Sequence, residues 1–130
     1  MAGHDFRSGC SIARTLEIVG DKWTLLIVRD LMWHGKQTFQ ALEESAEGVP
    51  TNILSERLKR LVKWRLVRRE AYQKHPVRYA YHLTEAGKSL EPVLLQIMNW
   101  GHEHLGGGRY DPDDRQDPQG GALSGAERFY

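Results

Sequence analysis

The sequence predicts a mainly α-helical domain that carries one small β-hairpin. Three observations lead there. Apolar residues recur at helical spacing as far as Leu66, the period falls to two between Val67 and Leu83, and helical spacing then resumes. The 130 residues, 40% hydrophobic and 27% charged, suit a single domain with a core of its own. The boundaries read as an N-terminal arm at 1–9, a folded unit at 10–105 and a flexible tail at 106–130. That tail holds six glycines and two prolines and little apolar periodicity.

The first helix is expected from Ser11 to Gly20, with Ile12, Leu16 and Val19 on one face. Asp21 reads as the N-cap of a second helix reaching Trp33, apolar on nearly every side and so the centre of the core. Gly35 ends it. Thr38 caps a short third helix carrying Phe39 and Leu42, which frays near Gly48. Pro50 and Thr51 start a fourth helix, with Leu54, Leu58, Leu61 and Val62 on one side. Asn52, Ser55, Glu56, Lys59 and Lys63 fall away from that stripe. A short helix, a tight turn and an exposed-polar helix make a helix-turn-helix. Val67 to Gln73 and Arg78 to Leu83 form the hairpin, with Lys74, His75, Pro76 and Val77 at a basic tip. Thr84 then caps one long last helix, which Pro92 should kink.

The net charge is only +1, but residues 57–78 carry nine basic residues against the single acid Glu70. A basic block on an otherwise acidic body suggests a local polyanion-binding face. Together with the element order, this is the layout of a winged helix-turn-helix that reads double-stranded DNA. The fourth helix would enter the major groove, with Thr51, Asn52 and Ser55 near base edges and Lys59, Arg60 and Lys63 near phosphates. Lys74, His75 and Arg78 would place the hairpin along a groove or the flanking backbone, and Thr38 joins them as a candidate contact. A merely solvated helix face remains an alternative, as does a winged-helix protein-interaction or RNA-associated module.

Several segments carry a family resemblance. Cys10–Ser11–Ile12–Ala13–Arg14, Gly20–Asp21–Lys22–Trp23, Asn52–Ile53–Leu54–Ser55–Glu56–Arg57–Leu58, Leu83–Thr84–Glu85–Ala86–Gly87 and Trp100–Gly101 stand in colinear order. Together they resemble an HxlR-type regulator, a branch related to the MarR group. The resemblance implies a homodimeric transcription factor, most simply a repressor, with the ends of the domain forming the dimer interface. It also marks Cys10 as a candidate sensor of electrophiles or oxidants, with a small molecule as the other possible effector. Two positions depart from the pattern. Ser11 stands where relatives usually carry Pro, and Arg65 stands where they tend to place Gly after the recognition helix.

Apolar residues on the first and last helices (Leu16, Val19, Leu94, Ile97, Met98 and Trp100) exceed what so small a core should cover, which independently predicts a homodimer. No catalytic site is expected: Cys10, Asp21 and Asp30 sit in no nucleophile elbow, phosphate loop or paired-carboxylate motif. No metal or cofactor is expected either, since His102 and His104 diverge on a helix and His34, His75 and His82 lack ligand spacing. The longest apolar run, Trp23 to Trp33, is interrupted by Arg29 and Asp30 and is too short for a membrane span. No secretory signal is visible, so the cytoplasm is the expected location.

Overall fold

The computed structural model describes residues 4–105; the expected tail at 106–130 lies outside the described residues. The order is α1 (Ser11–Val19), α2 (Thr24–Trp33), α3 (Phe39–Glu43), α4 (Thr51–Lys63), β1 (Val67–Lys74), β2 (Val77–Leu83), α5 (Glu85–Lys88) and α6 (Glu91–His104). The mainly helical winged helix-turn-helix is what the periodicities require. Ile27, Val28 and Leu31 of α2 meet Leu42, Leu54, Leu58, Leu61, Val67 and Leu94 in one buried cluster. No helix among the described residues is long and apolar enough to cross a membrane.

Asp21 caps the second helix from slightly further away than expected. Its Oδ1 accepts from the backbone N–H groups of Trp23 (2.8 Å) and Thr24 (2.9 Å), and a turn at Asp21–Trp23 precedes the first helical residue, Thr24. Pro50 lies one position before α4, in extended conformation, rather than inside its first turn. Thr38 caps α3 as expected, its hydroxyl oxygen accepting from Ala41 N–H at 3.2 Å.

The single long last helix is corrected to two. Thr84 accepts from Gly87 N–H and caps only the four-residue α5; Ser89 and Leu90 separate it from α6. Pro92 explains the break. It offers no N–H to the carbonyl of Lys88, so the helix restarts with Pro92 in its first turn, where no donor is needed. A second correction concerns the apolar surface. Val19 and Leu94 belong to the interior and Met98 is half-buried, whereas Ile12, Leu16, Val93, Ile97 and Trp100 are exposed.

The antiparallel hairpin pairs Val67 with Leu83 and Lys74 with Val77, with an irregularity around Tyr72. Its second strand is stitched to the helix-turn-helix: Tyr81 N–H donates to the Gln37 carbonyl at 2.7 Å, and Thr38 bridges Ala80. At the other end, α4 closes in a Schellman turn. Leu66 N–H bonds the Leu61 carbonyl and Arg65 N–H the Val62 carbonyl, both at 3.0 Å. Arg65 therefore sits in the left-handed region, at φ 60°. The exit of the hairpin is fastened to this turn, because Thr84 donates its hydroxyl to the Arg65 carbonyl and its N–H to the Leu66 carbonyl. Gly87 fits beneath it; a Cβ there would come within 2.1 Å of the Leu66 oxygen.

A left-handed non-glycine residue costs about 1–2 kcal/mol, and glycine returns part of that through the entropy of the unfolded chain. Arg65→Gly is expected to stabilise the fold by about 0.5–1 kcal/mol, raising the melting temperature by roughly 4 °C. Differential scanning calorimetry checks this; an unchanged or lower melting temperature would show that the arginine side chain compensates its backbone.

Candidate nucleic-acid interface

The outward face of α4 carries Asn52, Ser55, Lys59 and Lys63, none of which has a side-chain partner among the described residues. Asn52, Lys59 and Lys63 are exposed and Ser55 is half-buried. Only Trp64, Arg65 and Leu66 separate Lys63 from the first strand of the hairpin, so the basic stretch runs from helix to wing without interruption. Lys74, His75 and Arg78 are exposed at and beside the wing tip.

Three predicted contacts are occupied within the protein. The Thr51 hydroxyl donates to Glu43 Oε2, tying the start of α4 to the end of α3. The Thr38 hydroxyl oxygen is engaged in its cap. Arg60 turns inward: its Nη1 lies 3.3 Å from Asp21 Oδ2 and its Nη2 3.3 Å from Glu56 Oε1. Arg57, which the charge pattern counted but did not single out, places its Nε 3.2 Å from Asp21 Oδ1 and also pairs with Glu56. Asp21 thus fastens both the start of α2 and the middle of α4. Burial pushes its carboxyl upward, but the Thr24 hydroxyl, the backbone N–H groups of Trp23 and Thr24, and Arg57 hold it down at about 2.

Sequence reasoning missed a buried charge network behind α4. Asp30, on α2, is 1% exposed. Its Oδ1 accepts from His34 Nδ1 at 3.0 Å and from Arg29 Nε at 3.0 Å, and Ser45 donates its hydroxyl to Oδ2. Arg29 in turn grips Glu47 through two bonds of 2.9 and 2.8 Å. Ser45 and Glu47 lie in the segment between α3 and α4, so the network pins the helix-turn-helix turn to α2. The four-residue spacing of Asp30, on α2, and His34, the residue that caps it, was the available signal.

The N-terminal arm lies against α1 and the far end of α4. Glu17 accepts from Arg7 N–H at 2.9 Å and contacts His4 at 3.3 Å. The rings of His4 and Phe6 pack on Trp64, with centroids 4.9 and 5.8 Å away. Cys10 is exposed at the N-cap of α1, its N–H donating to the Ser8 hydroxyl at 3.1 Å. Among the described residues no group of His, Cys, Asp or Glu converges as a metal site would require.

The HxlR-like helix-turn-helix family matches residues 18–108. The chain belongs to this family. An uncharacterized HTH-type transcriptional regulator of Mycobacterium tuberculosis is 42% identical to this HxlR-like chain over 97 residues. That match takes in 75% of this chain but only 60% of the relative. Among solved structures, a MarR-family protein of Porphyromonas gingivalis W83 superposes with a TM-score of 0.68 at 26% identity, covering 78% of this chain and 99% of the other. The redox regulator HypR, in its oxidized form, superposes with a TM-score of 0.62 at 32% identity, covering 73% and 97%. The HxlR-like helix-turn-helix comprises α3 and α4, and the paired strands are its wing.

Proposed function

We propose that this HxlR-like chain is a transcriptional regulator of the cytoplasm, a repressor that binds a pseudo-palindromic operator in double-stranded DNA as a homodimer. The observation that carries the reading is the outward face of α4. On a family helix-turn-helix scaffold, its Asn52, Ser55, Lys59 and Lys63 side chains have no partner within the described fold. Asn52 and Ser55 suit base edges in the major groove, while Lys59 and Lys63, with Lys74, His75 and Arg78 on the wing, suit phosphates. Thr51 and Thr38 offer hydroxyls at the edges of this surface. Arg60 and Arg57 set the angle of α4 through Asp21.

Homodimer formation is supported by the exposed apolar residues of α1 and α6. Leu16 is 55% and Trp100 58% exposed, and Ile12, Val93 and Ile97 extend the same kind of surface. A two-fold dimer would present two reading helices to half-sites about 10–10.5 base pairs apart, or a multiple of that. A monomer mass in light scattering at micromolar concentration contradicts it. Cys10 is the candidate sensor. It is exposed, it begins a helix of the proposed interface, and the HypR neighbour is named as a redox regulator. As the chain's single thiol, it would act by alkylation, by a mixed disulfide or by bonding to the same cysteine of a second subunit. Operator affinity of wild type and Cys10→Ser, before and after diamide, decides whether it does.

Selection of bound duplexes from a random pool supplies the operator, and two substitutions then test the assignment of roles. Asn52→Ala is expected to relax base preference at one position by about 1–3 kcal/mol. Lys74→Ala should weaken all sequences alike. Recovery of no duplex, with RNA or a protein retained instead, would overturn the reading; a preference altered by Lys74→Ala but not by Asn52→Ala would reverse helix and wing.

A further inference from the structure

We propose that Glu56 is a specificity-determining residue, whose free carboxylate oxygen accepts a hydrogen bond from the exocyclic amine of a cytosine in the major groove. The proposal rests on the DNA-binding reading of α4 and adds to it the base that one operator position must carry. Glu56 is the one acid in α4, and it is exposed. At about 100° per residue it points about 200° away from the buried Leu54, between Asn52 and Lys63 in direction. Asn52 stands one turn before it, and Lys59 and Lys63 follow it by one and two turns. The acid therefore lies in the middle of the surface assigned to DNA.

Its side chain is held in place by one oxygen. Arg60 Nη2 lies 3.3 Å from Oε1, and Arg57 donates through Nη1 to the same atom. Oε2 has no hydrogen-bond partner among the described residues. One oxygen is thus fixed and the other is a free acceptor. Neither arginine depends on Glu56 for a counter-charge, because both also reach Asp21, at 3.2 and 3.3 Å. An exposed pair four residues apart adds little to the helix. A carboxylate at the centre of a face that meets phosphates weakens binding to every sequence. A base contact offsets that loss only where the base offers a donor, so the acid trades affinity for discrimination.

The groove edges leave one base. Guanine and thymine present acceptors, and adenine sets its amine beside the N7 acceptor, which repels a carboxylate. Cytosine N4 is a donor with no acceptor on the same base edge. Glu56 lies about 6 Å along the helix axis from Asn52, so the cytosine is expected within about two base pairs of the position that Asn52 reads.

The test selects duplexes from a random pool with the full wild-type chain and with Glu56→Gln. Both proteins are then measured against single-base variants of the wild-type operator by fluorescence anisotropy at fixed ionic strength. Wild type should bind the cytosine duplex about five- to tenfold tighter than a duplex with any other base there. Glu56→Gln keeps the shape but presents an amide, so preference at that position alone should move to adenine, whose N6 and N7 suit an amide. Glu56→Ala should lose the cytosine preference and gain none. Variants that bind all duplexes more tightly yet keep every base preference would overturn the contact and leave only a repulsive charge. A move to guanine in both variants would also overturn it, because Arg57 or Arg60, released from Glu56, would then be the reader. Selection of no duplex by wild type overturns the DNA-binding reading itself, so the two failures are distinguishable.

Discussion

Raising the salt from 50 to 200 mM is expected to weaken duplex binding by about 10³–10⁵-fold. The estimate follows from the charges that remain available. Arg57 and Arg60 are already paired with Asp21 and Glu56, and Arg68 lies 3.9 Å from Glu70. Lys59, Lys63, Arg65, Lys74 and Arg78 are left without an acidic partner among the described residues, while Arg69 is stacked on Tyr79. A dimer would then contact roughly six to ten phosphates and show a slope of about −5 to −9 in log affinity against log salt. Lys74→Gln removes one contact per subunit and should make that slope shallower by about 2. Fluorescence anisotropy with a labelled operator measures both. A slope shallower than about −2 would mean that the basic stretch does not touch the backbone.

Asp30→Ala is expected to cost about 3 kcal/mol of stability, lowering the melting temperature by roughly 15 °C. The loss comes less from one ion pair than from what is left behind. Arg29, His34 and the Ser45 hydroxyl would all face a buried void where their shared acceptor had been. Burial pushes the Asp30 carboxyl upward, but the His34 hydrogen bond, the Arg29 charge and Ser45 hold it below the ordinary carboxylate range. A depressed folded value means that its contribution is complete above the unfolded value, near 3.8, and is lost as pH falls through the folded one. Asp21, held at about 2, behaves alike. Wild type should therefore lose stability steeply on acidification below about pH 4, and Asp30→Ala less steeply. Denaturant titrations at several pH values test both statements. Equal slopes in the two proteins would show that Asp30 is unpaired in solution. Asp30→Asn, which keeps the shape and one acceptor, should fall between them.

Much of the fold was legible because its signals are local. Thr38 and Thr84 are capping residues by chemistry, and both caps form. The 100° periodicity of α4 separated buried Leu54, Leu58 and Leu61 from exposed Asn52, Lys59 and Lys63. Arg65, standing where relatives tend to place Gly, left two turn shapes open, and the backbone takes the left-handed one. What escaped depended on distant partners or on competition between two rules. Arg60 looked free because Asp21 is 39 residues away in sequence. Asp30 looked like an interruption of an apolar helix, whereas Ser45, fifteen residues on, makes it part of the interior. Pro92 could kink a helix or begin one, and only the backbone at Ser89 and Leu90 chose between them.

The contact of His4 and Phe6 with Trp64 has a mechanical consequence. Trp64 closes α4 at the end opposite Asn52, and the twelve positions from one to the other make a rod about 18 Å long. A rotation of about 5° at the Trp64 pivot would swing the Asn52 end by about 2 Å, more than a hydrogen bond to a base edge tolerates. His4 and Phe6, in the segment before α1, therefore lean on the short side of a lever whose long side is the reading head.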